Sequence, residues 1–108
     1  MIIPKSLIIK NSTWNIELDP TRSGGSFNGE RDNIIVIGTK NKHIILENLY
    51  HEILEVIITE SGYRFSCYGN GENGDYLFNF NHKEFQNIVS DFSNCMAQLL
   101  STKKGYKV

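Results

Sequence analysis

Cysteine is scarce: Cys67 and Cys95 are the only two in 108 residues, far apart and in no CxxC pair. That excludes a thiolate zinc site and a disulfide framework, and buried free thiols are the expected state. Neither sign of charge prevails, since 11 Lys and Arg against 12 Asp and Glu leave a formal charge of -1. No basic run is denser than Lys103-Lys104, so nucleic acid and anionic membrane are not expected as partners. No apolar run approaches the roughly 18 residues that span a bilayer. Met1-Ile2-Ile3-Pro4-Lys5 lacks the basic, apolar and small-residue order of a signal peptide. A cytoplasmic protein is the expectation. Internal repeats, low-complexity tracts and Pro/Ser-rich linkers are also missing, and 108 residues suit one domain with a single core.

What is present begins as strands. Ser6-Leu7-Ile8-Ile9-Lys10, a tight Asn11-Ser12 connection and the alternating Thr13-Trp14-Asn15-Ile16-Glu17-Leu18 predict a hairpin. Asp19-Pro20 breaks the second strand, and Ser23-Gly24-Gly25 loops into Ser26-Phe27. The turn signal Asn28-Gly29 returns the chain through residues 33–38. These segments predict a meander of four short antiparallel strands. From about Asn41 to Glu60 the pattern becomes a long helix ended by Gly62. Residues 63–68 and 76–80 predict two more strands around a glycine-rich segment, 69–74. Asn81 and Glu84 have capping-box spacing at the start of a last helix. There Phe85, Ile88, Val89, Phe92, Met96, Leu99 and Leu100 form one apolar stripe, expected to be core. After Ser101 the polar tail is expected to fray.

The chemistry lies on the central helix, in YHEILEVIITE. His51 and Glu55 stand one turn apart on one face, with Glu52 beside them. That spacing makes a two-ligand pincer for a divalent cation, with Glu52 placed to address a bound water. Aliphatic neighbours on most of the circumference predict a helix buried nearly all round, where charged groups need a partner. A hydrogen-bonded His–Glu pair on a solvated stripe with Asn48 and Thr59 is the other reading of the same residues. His43 and Glu47 repeat the spacing in the first turns, where solvation is expected. A zinc site also needs a third protein ligand. The histidine left outside this helix is His82, in the first turn of the last helix, although by spacing alone a solvent-facing position suits it better.

GGSFNGERDNIIVIGTK, ENLYHEILEVI and FNHKEFQNIVSDF together resemble small zinc metallopeptidases of phages and prophages, related to the SprT-like and ImmA/IrrE-like zincins. The resemblance runs from Ile3-Pro4-Lys5 to about Leu100. It implies an α+β zincin-like minimal domain: a short antiparallel β-meander packed on a central HExxE helix and a C-terminal helix. By motif, His51 would be the first ligand, Glu52 the general base, Glu55 the ligand where HExxH has its second histidine, and His82 the downstream ligand. The implied cofactor is zinc or another divalent cation. Two histidines and one carboxylate also describe the facial triad of non-haem iron(II) oxygenases, but Glu52 favours hydrolysis.

The resulting expectation is a hydrolase of peptide bonds acting on a peptide or protein substrate. If residues 34–37 form the exposed sheet edge, an extended peptide could pair with them. Tyr50, Tyr63, Arg64, Tyr68 and Tyr76 are the candidates for stabilising an oxyanion. The rival is a non-catalytic interaction module, with or without metal, and a third reading makes the metal structural.

Overall fold

Alternating side chains build the main sheet. In the computed structural model, which describes residues 1–29, 32–66 and 76–108, β2 (Ser6–Ile9) and β3 (Ser12–Asp19) pair as an antiparallel hairpin. Leu7, Ile9, Trp14 and Ile16 point to the core, while Ile8, Thr13, Asn15 and Glu17 face away. The turn is Lys10-Asn11, one residue earlier than the sequence suggests. Both residues have positive φ, 49° and 69°, as a type I′ turn requires.

The strands do not continue as a meander. β4 (Gly25–Asn28) lies at the sheet edge, and β5 (Ile34–Gly38) inserts between β3 and β4, giving the order β2-β3-β5-β4. β5 is therefore parallel to β3 and antiparallel to β4. The connection 19–24 makes room for it. Asp19 accepts hydrogen bonds from the Thr21 amide and hydroxyl at 2.9 and 2.6 Å, and these hold its carboxyl below the usual carboxylate range. Thr39 N–H donates to the Asp19 carbonyl, and Gly38 N–H to the Gly24 carbonyl. Residues 34–37 are consequently central, and the edge strand on this side is β4.

Two helices cover one face of this sheet, so the architecture is mixed α+β. A 3₁₀ turn (Lys42–Ile44) leads into α1 (Ile45–Glu60). α1 buries Ile45, Leu49, Glu52, Ile53, Val56, Ile57 and Ile58. It is not buried all round, since Leu46 and His51 are exposed. β6 (Arg64–Ser66) and β7 (Tyr76–Phe78) pair as a separate ribbon. The glycine-rich segment 69–74, Cys67 and Tyr68 lie outside the described residues.

The capping box at Asn81 forms: the Glu84 amide donates to Asn81 Oδ1 at 2.9 Å, and the Asn81 amide to Glu84 Oε1 at 3.0 Å. It opens α2 (His82–Ser101). The expected core stripe of α2 is only partly buried. Ile88 and Cys95 are inside, whereas Phe85, Val89 and Leu100 are exposed. Burial pushes the Cys95 thiol up to about 11, with Asp91 adding to the effect, so it stays an unreactive thiol at neutral pH.

α2 is tied to the outer edge of β2. Gln98 accepts from Ile8 N–H and donates to the Ile8 carbonyl, both at 2.8 Å, and Lys10 pairs with Asp91 at 3.2 Å. The tail does not fray, because β8 (Tyr106–Lys107) pairs antiparallel with β1 (Ile2–Ile3), and the Tyr106 hydroxyl donates to the Ile16 carbonyl at 2.9 Å. No helix among the described residues is long and apolar enough to cross a membrane.

A Cβ at Gly38 would overlap the Gly24 and Arg22 carbonyl oxygens. Gly38→Ala is therefore expected to lower unfolding free energy by about 1–3 kcal/mol, the usual range for overpacking, as measured by urea denaturation.

Candidate metal centre

The site starts from the spacing of polar residues on α1. Asn48, Glu52, Glu55 and Thr59 recur at intervals of four, three and four, which places them in one stripe along the helix. The stripe faces the β4 side of the sheet. At its lower end Asn48 Nδ2 donates to the Ser23 carbonyl at 2.6 Å and the Gly38 carbonyl at 3.2 Å. That side chain pins the loop before β4 and the end of β5 to the helix.

One turn further on, Glu52 packs against Gly25. A Cβ on Gly25 would lie 2.9 Å from Glu52 Cγ and 2.9 Å from the Val36 carbonyl oxygen. Only glycine leaves this space. Glu52 is 3% exposed, and its buried Oε2 has no hydrogen-bond partner. Desolvation raises its pKa, the Glu55 charge raises it further, and His51, Arg22 and Arg64 pull it back.

His51 and Glu55 stand outward of Glu52. His51 Nε2 is 3.4 Å from Glu55 Oε2, with the imidazole 65% and the carboxylate 22% exposed. Two ligands on a tetrahedral ion with bonds of about 2.1 Å are separated by about 3.4 Å. One donor atom each from His51, Glu52 and Glu55 lies within 4.8 Å of the other two. The pincer and its neighbouring carboxylate are thus assembled by local helix geometry. His43 and Glu47 are exposed, as their place in the first turns suggests.

His82 does not join them. Among the described residues, the group of potential ligands is His51, Glu52 and Glu55 alone. The helix pairing gives the reason. Tyr50 packs edge-on against Phe92 at 6.1 Å, so α2 lies on the Tyr50 flank of α1, and Glu52 is about 200° further round. His82 is also ten positions before Phe92, about 15 Å further along the α2 axis. It is exposed beside the cap.

Of the possible oxyanion groups, Tyr50 and Tyr63 make ring contacts with Phe92 and Phe80. Arg64 lies over the Phe27 ring at 5.3 Å, on the β4 side where its charge reaches Glu52. Gly25, Asn48 and Arg22 were not singled out for this site from sequence. Asn48 carried a signal, as the polar residue one turn before Glu52. The roles of Gly25 and Arg22 depend on a strand register that no local pattern encodes.

The raised Glu52 pKa has a stability consequence. The folded state holds this proton more tightly than the unfolded chain, so stability falls as pH rises from the ordinary value near 4.5 to the elevated one. Glu52→Gln is expected to remove that slope and to make the metal-free protein more stable at pH 7 than the native chain, as read by denaturation across pH 4–8. Against known proteins, the chain matches no family model, no curated protein and no solved structure.

Proposed function

We propose that the β4-facing flank of α1 binds a divalent cation, with zinc as the first choice, and that the protein is a zincin-like hydrolase of peptide bonds. One observation carries this reading: a carboxylate that is nearly fully buried, with an oxygen lacking any partner, stands within 4.8 Å of an imidazole nitrogen and a second carboxylate oxygen. Burying a carboxylate unpaired costs several kcal/mol. The mixed nitrogen and oxygen donor set suits zinc.

His51 and Glu55 are the ligands in this reading. A bound cation would supply Lewis acidity, making water a better acid and a carbonyl a better electrophile. Glu52 receives and returns a proton at its carboxylate, and its raised pKa brings it closer to neutral pH than an ordinary glutamate. His82 is left out of the ligand set, which makes the site more open than a three-ligand zinc centre.

The β4 edge supports a peptide as substrate. The Gly24–Gly38 hydrogen bond fixes the ladder phase, and alternation then turns the N–H and C=O groups of Gly25 and Phe27 away from β5. An extended chain adding there would run past His51 and Glu55.

A second reading, a non-catalytic interaction module, is favoured by the exposed apolar residues Leu77, Phe78, Phe85 and Val89. Zinc titration by calorimetry tests the centre. Binding at one site is expected, weakened at least tenfold in His51→Ala and in Glu55→Ala but unchanged in His82→Ala. A native protein that takes up no zinc would sink the centre. Loss of binding in His82→Ala would show instead that the helices rearrange to recruit it. Glu52→Gln separates the two functions: a hydrolase loses peptide turnover while retaining zinc, and a binding module is unaffected.

A further inference from the structure

Two arginines send their charge to Glu52, and they are mounted differently. Arg64 lies over the Phe27 ring at 5.3 Å. Arg22 sits in the connection between β3 and β4, half-buried, and among the described residues its guanidinium has no ion pair and no hydrogen bond. Its backbone, by contrast, is pinned. The Arg22 N–H donates to the Asp19 carbonyl at 3.3 Å, the Arg22 carbonyl accepts from Lys40 N–H at 3.0 Å, and a Cβ at Gly38 would overlap that same carbonyl. The carbonyl of the next residue, Ser23, accepts from Asn48 at 2.6 Å, one helical turn before Glu52. The charge of Arg22 also reaches Asp19, but that carboxylate is already taken by the Thr21 amide and hydroxyl.

We propose that Arg22 binds the terminal carboxylate of a peptide whose last residues lie over Glu52, so that the substrate is the C-terminal end of a chain. The proposal rests on the reading of the α1 flank as a hydrolytic centre and of β4 as the strand that a peptide joins. Asn48 holds Ser23 and Glu52 packs on Gly25, so the helix fixes both ends of the short connection. Arg22 therefore lies just past Gly25, the residue with which the pairing of β4 begins. A peptide added antiparallel to β4, the better-paired arrangement, meets that end of the strand with its own C-terminus.

Charge decides between a chain end and the middle of a chain. The centre holds two carboxylates, Glu52 and Glu55, and a third brought alongside is opposed by like charge. Arg22 offsets this repulsion. Its planar fork can take both oxygens of a carboxylate in a bidentate, charge-assisted pair, whereas an interior peptide group offers one neutral carbonyl. Water is the co-reactant in the cleavage this implies: its oxygen joins the carbonyl carbon as the C–N bond breaks, and both its protons end on the amine released.

The test uses the ¹⁵N-labelled full chain, without metal, titrated at pH 7 with acetyl-tetraalanine as the free acid, the same peptide as its amide, and an amidated acetyl-trialanyl-aspartate. Expected are shifts at the Arg22 Nε–H and at the amides of Ser23, Gly24 and Gly25, and at least fivefold tighter binding of the free acid than of either amide. Arg22→Gln, similar in length and uncharged, should erase that preference with the urea midpoint little changed, and Arg22→Lys should restore part of it. Equal binding of acid and amide by the native chain overturns the proposal, as does a preference that survives in Arg22→Gln. A marked fall in the urea midpoint of Arg22→Gln would also overturn it, by making Arg22 the partner of Glu52, and tighter binding of the aspartate peptide would do so by replacing the chain end with a side chain. Failure here is distinct from failure of the hydrolase: free-acid preference in a protein that takes no zinc would uphold the role of Arg22 and remove the hydrolase, and zinc-dependent turnover of acid and amide alike would do the reverse.

Discussion

The approach of Gly25 to Glu52 is the contact on which the arrangement of helix and sheet depends, because it sets how closely α1 can lie over the β4 edge. A side chain at residue 25 would push the helix off the strand or force the carboxylate out to water. With none there, the helix settles, Glu52 is enclosed, and His51 and Glu55 are left on the open flank. Asn48 maintains the same spacing one turn below, through its bonds to Ser23 and Gly38. The two contacts act as a hinge pin and a stop. Neither contributes much apolar burial, and stability rests on the isoleucine- and leucine-rich core beneath them, where each side chain is worth about 1.5–3 kcal/mol.

Glu52 is out of character with its neighbours. Ile45, Leu49 and Val56 lie within about 60° of it around the helix and are all buried, and a chain shaped for stability alone would place an aliphatic residue at position 52 as well. A desolvated carboxylate with an idle oxygen is a local violation of packing rules, and such violations concentrate at functional positions. The raised pKa and the adjacent imidazole are two sides of this arrangement.

What could be read in the sequence was local. The i, i+4 pair of His51 and Glu55, the capping box of Asn81 and Glu84, and the hairpin of β2 and β3 each need only a few consecutive residues, and each is present. What could not be read depended on long-range placement. Nothing in residues 34–38 states that they slip between β3 and β4; their near-continuous apolar run is the one hint, since a strand flanked on both sides is buried on both faces more than an edge strand. His82 looked available for the centre because sequence gives its helix but not which flank of α1 that helix packs against. The stripe on α2 was periodic, yet periodicity does not say how wide a face the partner layer covers, and Phe85, Val89 and Leu100 lie beyond it.

The Gln98 carboxamide gives the sheet a polarity. By accepting from Ile8 N–H and donating to its carbonyl, it stands in for one residue of a missing neighbour strand and blunts the outer margin of β2. Exposed strand margins invite uncontrolled association, and proteins commonly guard them. Here a single side chain from α2 does that work at β2, so the outer face of the hairpin is closed to a further strand by the same contact that ties the last helix to the sheet.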